Sequence, residues 1–297
     1  MTTTPHIPVL LDDILEALLP DGRAGRIIDG TLGAGGHSAE LLAHGAESLL
    51  GLDRDPQALA IARERLQSFG ERAQILHCSY EAMRTVAESI GWADGVDGIL
   101  LDLGVSSMQF DTPERGFAFM FDAPLDMRFD PTGEQIRASE IVNTYEADEL
   151  SQIFFKYGEE RYSRRIARAI IKARPLHTTQ QLADVVKEAV PRNKREKIHP
   201  ATRIFQALRI AVNDELGTIE RTLPVAIDLL RSGGRLAVIS FHSLEDRIVK
   251  HHFKDAATEI ISPPGMVLEE KVATVKVLTR KPIVADENEI AQNPRSR

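Results

Sequence analysis

Arg26-Ile-Ile-Asp-Gly-Thr-Leu-Gly-Ala-Gly-Gly-His37 reads as a short buried strand, Arg26 to Asp29, entering a glycine-rich turn and then a helix from about Gly36. Gly33, Gly35 and Gly36 allow positive φ and let backbone approach a ligand with no Cβ in the way. The helix that follows presents N–H groups with no intrahelical partner to polar ligand atoms. Asp29 ends the strand just before the turn. A pyrophosphate at such a loop would be repelled by that acid, whereas a cationic amino acid would be attracted. The difference points to S-adenosyl-L-methionine, whose sulfonium and ammonium are both positive. The acid-x-Gly-x-Gly-x-Gly form usual in methyltransferases is incomplete, because Thr31 holds the first glycine's place. A G-x-G-x-x-G dinucleotide fingerprint fails as well, with Ser38 where its third glycine belongs.

Working outward, Val9 to Leu19 has helical apolar spacing that stops at Pro20-Asp-Gly. Ser48 to Asp53 reads as a second strand, and Pro56 opens a helix to about Phe69. Asp53 follows the glycine turn by roughly 20 residues, where an acid hydrogen-bonds a ribose in nucleotide-type folds. A surface charge at a helix N-terminus is the plainer alternative. Ala73 to Ser79 is a third strand, with Tyr80 just beyond it, placed either to stack on an adenine or to pack on the helix Glu81 to Ile90. Val96 to Asp102 is a fourth strand, apolar enough to be buried on both faces. Strands alternating with helices imply a parallel α/β sheet with its site beyond the carboxyl ends of the strands. Asp29, Asp53, Tyr80 and Asp102 all fall at such ends.

The rhythm then changes. Thr112 to Gly133 is irregular and rich in Phe and Met, a loop either folded onto a core or serving as a lid. Helical patterns follow over Glu146–Lys156, Glu159–Lys172, Thr178–Ala189 and Pro200–Asn213. Residues 110–213 therefore read as an all-α insertion in an α/β domain made of 1–109 and 214–297. The α/β domain resumes with a helix Leu216–Leu230 and a fifth strand Arg235–His242. Ser243 to Asp246 then reads as a capping box. Val272 to Arg280 alternates like an edge strand, and Asp286 to Arg297 reads as a flexible tail. His242, at a strand end, is either a pocket residue or a hydrogen-bonded structural histidine.

The chain has 297 residues, 43% of them hydrophobic and 27% charged, with one cysteine, Cys78, so no intrachain disulfide can form. No signal peptide or membrane-length apolar run is present, and the expectation is a soluble, cytoplasmic protein. The formal net charge of −8 hides a block. Ser151 to Ile210 carries 14 Lys/Arg against 5 Asp/Glu, net +9, leaving −17 elsewhere. Arg161, Arg164, Arg165, Arg168 and Lys172 form a helical stripe opposite Ile166, Ala169 and Ile170, and Lys194 and Arg195 lie in a second basic segment. Such a stripe is either a solvated face or a surface for phosphates. No zinc spacing, P-loop or nucleophile elbow is found, and no metal motif is present, which leaves a metal requirement open.

Several longer segments resemble the bacterial RsmH (MraW) family, which methylates a cytosine N4 in 16S ribosomal RNA of the small subunit. They are Asp29 to Ser38, Asp102 to Gln109, Glu114 to Phe119, Asp122 to Arg128, Gly158 to Arg161, His199 to Arg209 and Ser240 to Arg247. The resemblance implies a Rossmann-like methyltransferase domain interrupted by a helical substrate domain, using S-adenosyl-L-methionine. It places cofactor contacts at Gly35, Gly36, His37, Asp53, Tyr80, Asp102 and Gln109. Amino-methyltransferases of other families use an acid or Asn followed by Pro-Pro-aromatic after the fourth strand; here Asp102-Leu-Gly-Val-Ser-Ser107 stands instead. Ser106, Ser107 and His242 are the candidates to border a flipped-out cytosine, with Asp102 mainly orienting cofactor. A non-catalytic RNA-binding assembly factor is the alternative. It would need only the basic insertion and would leave the strand-end acids unexplained. The sequence leaves monomer or homodimer open.

Overall fold

The computed structural model describes residues 8–191, 198–260, 271–293 and 296, and of Ser107 the backbone alone. Its contacts divide the chain into two units, Met1–Leu103 with Thr218–Arg297, and Gly104–Gly217. The second unit begins six residues before 110 and ends four after 213.

The first unit is built on five parallel strands: β1 Ala24–Asp29, β2 Ala46–Asp53, β3 Ala73–His77, β4 Val96–Asp102 and β5 Leu230–Ile239, in spatial order β3-β2-β1-β4-β5. The helices here are α1 Leu11–Leu18, α2 Gly36–His44, α3 Pro56–Leu66 and α4 Met83–Ser89. Ile27, Ile28, Leu49, Leu50, Ile99 and Leu100 are fully buried, as a parallel sheet covered on both faces requires. Strand β1 is central and pairs with both β2 and β4, so the order of connection reverses beside it. The crevice outside the carboxyl ends at such a reversal is where ligands bind in open α/β sheets. Asp29 pairs across to Gly51 and Leu100, so Asp53 and Asp102 each reach two residues past it.

The second unit is helical. It holds α5 Ser107–Asp111, α6 Ala138–Thr144, α7 Ala147–Gly158, α8 Ser163–Ala173, α9 Thr179–Ala189 and α10 Ala201–Asn213. Phe154, Ile166, Ile170, Leu182, Ile204 and Leu208 form its core, each worth about 1.5–3 kcal/mol on burial. The irregular stretch from Thr112 to Gly133 folds onto this core and buries Phe117, Leu125 and Met127. Arg115 donates to the carbonyls of Arg128 and Phe129, and Arg128 forks onto Asp126 at 2.8 and 2.9 Å. Two buried guanidinium groups thus supply the hydrogen bonds that an irregular backbone lacks.

Differences from the sequence reading lie mostly in the C-terminal third. Helix α11, Glu215–Leu229, gives way directly to β5, which begins five residues earlier than expected and stops at Ile239. Ser232-Gly-Gly lies inside that strand, where a bulge against Val96 and Gly98 takes up the extra residues. His242 is therefore beyond the strand, at the N-cap of α12 (Ser243–Ala256). Among the described residues of 271–280 there is no strand. Lys271 forms an isolated bridge with Ile260, and Thr274 N donates to Ala256 O. Alternation supplies an apolar face but not the neighbouring ladder that a strand needs. The tail contains α13, Glu287–Gln292, begun by Asp286 accepting from Glu289 N at 2.8 Å. Glu289 in turn accepts from Leu10 N at 2.7 Å.

Candidate active site

The glycine-rich turn is held from both sides by carboxylates. Asp29 is 1% exposed, accepting from Thr31 N at 3.1 Å and from Ser38 Oγ at 2.7 Å. Its oxygens therefore close the loop onto α2, one hydrogen bond to each. Asp53 accepts from Gly33 N at 2.7 Å and from Asp55 N at 2.8 Å, tying the end of β2 to the turn. Each Asp53 oxygen keeps a second lone pair for a ligand. Gly33 and Gly35 take φ of 52° and 75°, the left-handed region that an L side chain enters at a cost. Gly35 is the N-cap of α2 and offers no side-chain cap, so the first N–H groups of that helix meet no capping oxygen. Gly36 is its first residue.

Asp102 ends β4. Its main-chain N–H donates to Thr31 Oγ1 at 2.6 Å, which explains a threonine where methyltransferases usually have glycine. Its Oδ2 lies 3.7 Å from His37 Nδ1, while its Oδ1 is buried with no hydrogen-bond partner among the described residues. His37 is 7% exposed and its Nε2 meets Val9 O at 2.8 Å. A carbonyl only accepts, so that nitrogen carries the proton. Burial pushes the carboxyls of Asp29, Asp53 and Asp102 each up to about 6. Hydrogen bonds oppose the rise at Asp29 and Asp53, and His37 opposes it at Asp102. Tyr80 stands beside the turn, since a Cβ on Gly30 would lie 3.0 Å from its own.

These residues fit a cationic ligand. Three strand-end carboxylates, Asp29 buried and Asp53 and Asp102 half-buried, flank the turn, and a carboxylate oxygen without a donor among the described residues is the atom that a ligand's N–H or O–H would satisfy.

His242 caps α12. Its Nδ1 accepts from Glu245 N at 3.4 Å, and Glu245 Oε2 accepts from Phe241 N and His242 N at 2.9 and 3.3 Å. Glu245 is 0% exposed, with Oε1 3.2 Å from His242 Nε2. The capping box thus starts one residue earlier than Ser243. Thr31, Ser38 and Glu245 were missed as site-building residues. The signal was present in Thr31, as the one departure from the glycine pattern, and in Glu245, inside a segment already singled out.

In the second unit, Ser106 is the N-cap of α5 and forms a reciprocal box with Gln109. Ser106 Oγ accepts from Gln109 N at 3.4 Å, and Gln109 Oε1 accepts from Ser106 N at 3.0 Å. Gln109 is 5% exposed. Ser107 is the first residue of α5. Arg161, Arg164, Arg165 and Arg168 are all exposed, opposite the buried Ile166, Ala167 and Ile170. No ion pair with a carboxylate is found for any of the four among the described residues. Lys194 and Arg195 lie outside the described residues.

A model of the MraW methylase family matches residues 3–297. Several curated proteins named ribosomal RNA small subunit methyltransferase H are similar over nearly the full length. The one from Citrifermentans bemidjiense is 52% identical over 301 residues, covering 98% of this chain and 95% of that protein. That from Heliobacterium mobile is 49% identical over 299 residues, with the same coverages. That from Nitratidesulfovibrio vulgaris is 50% identical over 302 residues, covering 99% and 83%.

Proposed function

This chain belongs to the MraW methylase family, and from that premise we propose that it methylates the exocyclic N4 of a specific cytidine in 16S RNA of the small ribosomal subunit, in the cytoplasm. S-adenosyl-L-methionine is the cofactor. The observation that carries the reading is the set of three strand-end carboxylates around a glycine turn, with Asp102 Oδ1 left without a donor among the described residues. The N4 acceptor rests on the family resemblance of segments such as Ser240 to Arg247.

Bound there, the cofactor supplies an electrophilic methyl group on a sulfonium. The α2 N-terminus is suited to its carboxylate, Asp53 to the ribose hydroxyls and Tyr80 to the adenine face. Asp102 supplies negative charge and an acceptor for polar hydrogens. The N4 lone pair is delocalised into the cytosine ring, so holding that nitrogen in line with the methyl–sulfur bond accounts for much of the rate. To take the methyl group, N4 would give up one proton, to a side chain or to water. The base reaches the site by leaving its stack, at least cost in a looped or single-stranded region. Ser106, Ser107 and His242 are assigned to border it. If single alanine substitutions at all three leave turnover and cofactor binding intact, that assignment fails. Arg161, Arg164, Arg165 and Arg168, with Lys194 and Arg195, are assigned to the flanking phosphates.

The test is transfer of labelled methyl from S-adenosyl-L-methionine to small subunits lacking the modification, with nucleoside analysis of the product. Label in N4-methylcytidine is expected. Label in another nucleoside refutes the acceptor, and RNA binding with no transfer points to the assembly-factor reading.

A further inference from the structure

Phe155 is an exposed aromatic residue that the fold does not use. It is 66% exposed on α7, while its neighbour Phe154 is fully buried in the core of the second unit. Gln152, Lys156 and Glu159 around it are also exposed, so it is a single ring on a solvated face. An isolated exposed apolar residue needs no explanation. Its position supplies one.

Helix α7 ends at Gly158, three residues later, and α8 begins at Ser163, with the two helices packed on each other. A rise of 1.5 Å per residue and an interaxial distance of 8–10 Å put Phe155 within roughly 15 Å of Arg164 and Arg165 in the first turn of α8. The turn between them is well fixed. Glu160 is 2% exposed, accepts from Tyr162 N at 2.8 Å and pairs with Arg203 at 3.5 Å. Ser151 Oγ donates to Ser163 Oγ at 3.2 Å. The Arg161 guanidinium lies over the Tyr162 ring at 4.9 Å, and the Lys156 ammonium over Tyr157 at 5.1 Å. One end of this hairpin thus carries a bare ring and, within roughly 15 Å, arginines for which no carboxylate partner is found among the described residues. In a chain of net charge −8, cations left unneutralised at one place complement a polyanion.

We propose that Phe155 is a stacking platform for an unpaired base of single-stranded RNA whose neighbouring phosphates are held by Arg164 and Arg165. The proposal deepens the reading of the chain as an RNA methyltransferase and rests on it. Single-strand binders combine such a ring with a cationic track, because every base offers a π-face.

The test uses the full chain and a short, labelled, unstructured RNA oligonucleotide, with an abasic strand and an RNA duplex as controls. Phe155→Ala and Phe155→Leu should each weaken single-strand binding about tenfold while leaving the salt dependence unchanged. Phe155→Trp should keep the affinity and show fluorescence quenching on the oligonucleotide but not on the abasic strand. Arg164→Ala should instead lower the slope of log K against log salt by about 0.7. Equal binding by wild type and Phe155→Ala overturns the proposal, as does an equal loss on abasic or duplex RNA. If wild type binds the oligonucleotide and only the Phe155 effect is missing, stacking falls and the RNA reading stands. If wild type binds no RNA, both fall.

Discussion

Replacing Thr31 by valine should weaken the sheet unit and its cofactor site together. The Thr31 hydroxyl accepts from Asp102 N at 2.6 Å, joining the turn after β1 to the end of β4. It is also among the donors that oppose the rise in the Asp29 pKa caused by burial. Valine keeps the shape and loses the oxygen, leaving the Asp102 N–H without that acceptor at a cost of about 1–3 kcal/mol. Serine keeps the oxygen and loses one methyl group, at most about 0.8 kcal/mol. Glycine restores the usual methyltransferase pattern yet loses the acceptor and adds backbone entropy of up to about 1 kcal/mol. The expected order of stability is wild type, serine, valine, glycine. Urea unfolding followed by the fluorescence of Trp92 reads this directly, because that residue is the only tryptophan, is 6% exposed and belongs to the first unit. Calorimetric titration of S-adenosyl-L-methionine should show weaker binding for valine and glycine. A valine variant as stable as serine, or a glycine variant above wild type, would refute the bridge.

Cofactor affinity should fall as pH drops through about 6, where Asp53 and Asp102 take up protons, by up to about tenfold per pH unit for each group that must be ionised. For folding the sign is reversed. These carboxyls have a folded pKa of about 6 against an ordinary value of 3.8, so their contribution is fully present below 3.8 and is lost as pH rises through about 6. Asp102→Asn should flatten part of both trends, as titration calorimetry and urea unfolding from pH 4.5 to 7.5 would show; a pH profile identical to wild type in both assays contradicts this. Gly158→Ala should destabilise the helical unit by about 1–3 kcal/mol, since a Cβ there would meet Arg203 O at 2.6 Å. Circular dichroism melting would read it, and an unchanged midpoint would mean that α7 and α10 have room to separate. Glu245→Ala removes a fully buried acceptor of two N–H groups and should cost about 2–4 kcal/mol. Glu245→Gln, which keeps an acceptor oxygen, should cost less; equal losses would dismiss the capping box as the reason.

The parallel sheet was legible because its strands are continuous apolar runs bounded by turn residues. Val96 to Asp102 matches its expected limits, and the others differ by a few residues at their ends. The helices of the insertion were legible for the same reason, through the 3.6-residue spacing that buries Ile166 and Ile170 and leaves Arg164, Arg165 and Arg168 in solvent. Local signals failed where a neighbour distant in sequence sets the outcome. The start of β5 depends on pairing with β4 across a bulge, and the Val272 to Arg280 alternation found no ladder to join. Likewise, the strand ends announced Asp29, Asp53 and Asp102 as a group. The division of labour among them is set by partners outside each strand: Ser38 for Asp29, Gly33 for Asp53, and Thr31 and His37 for Asp102. Periodicity is a property of neighbours in sequence, so it was open to reading. Whether a carboxylate closes a loop or keeps an oxygen for a ligand depends on which donors the folded chain brings within 3 Å.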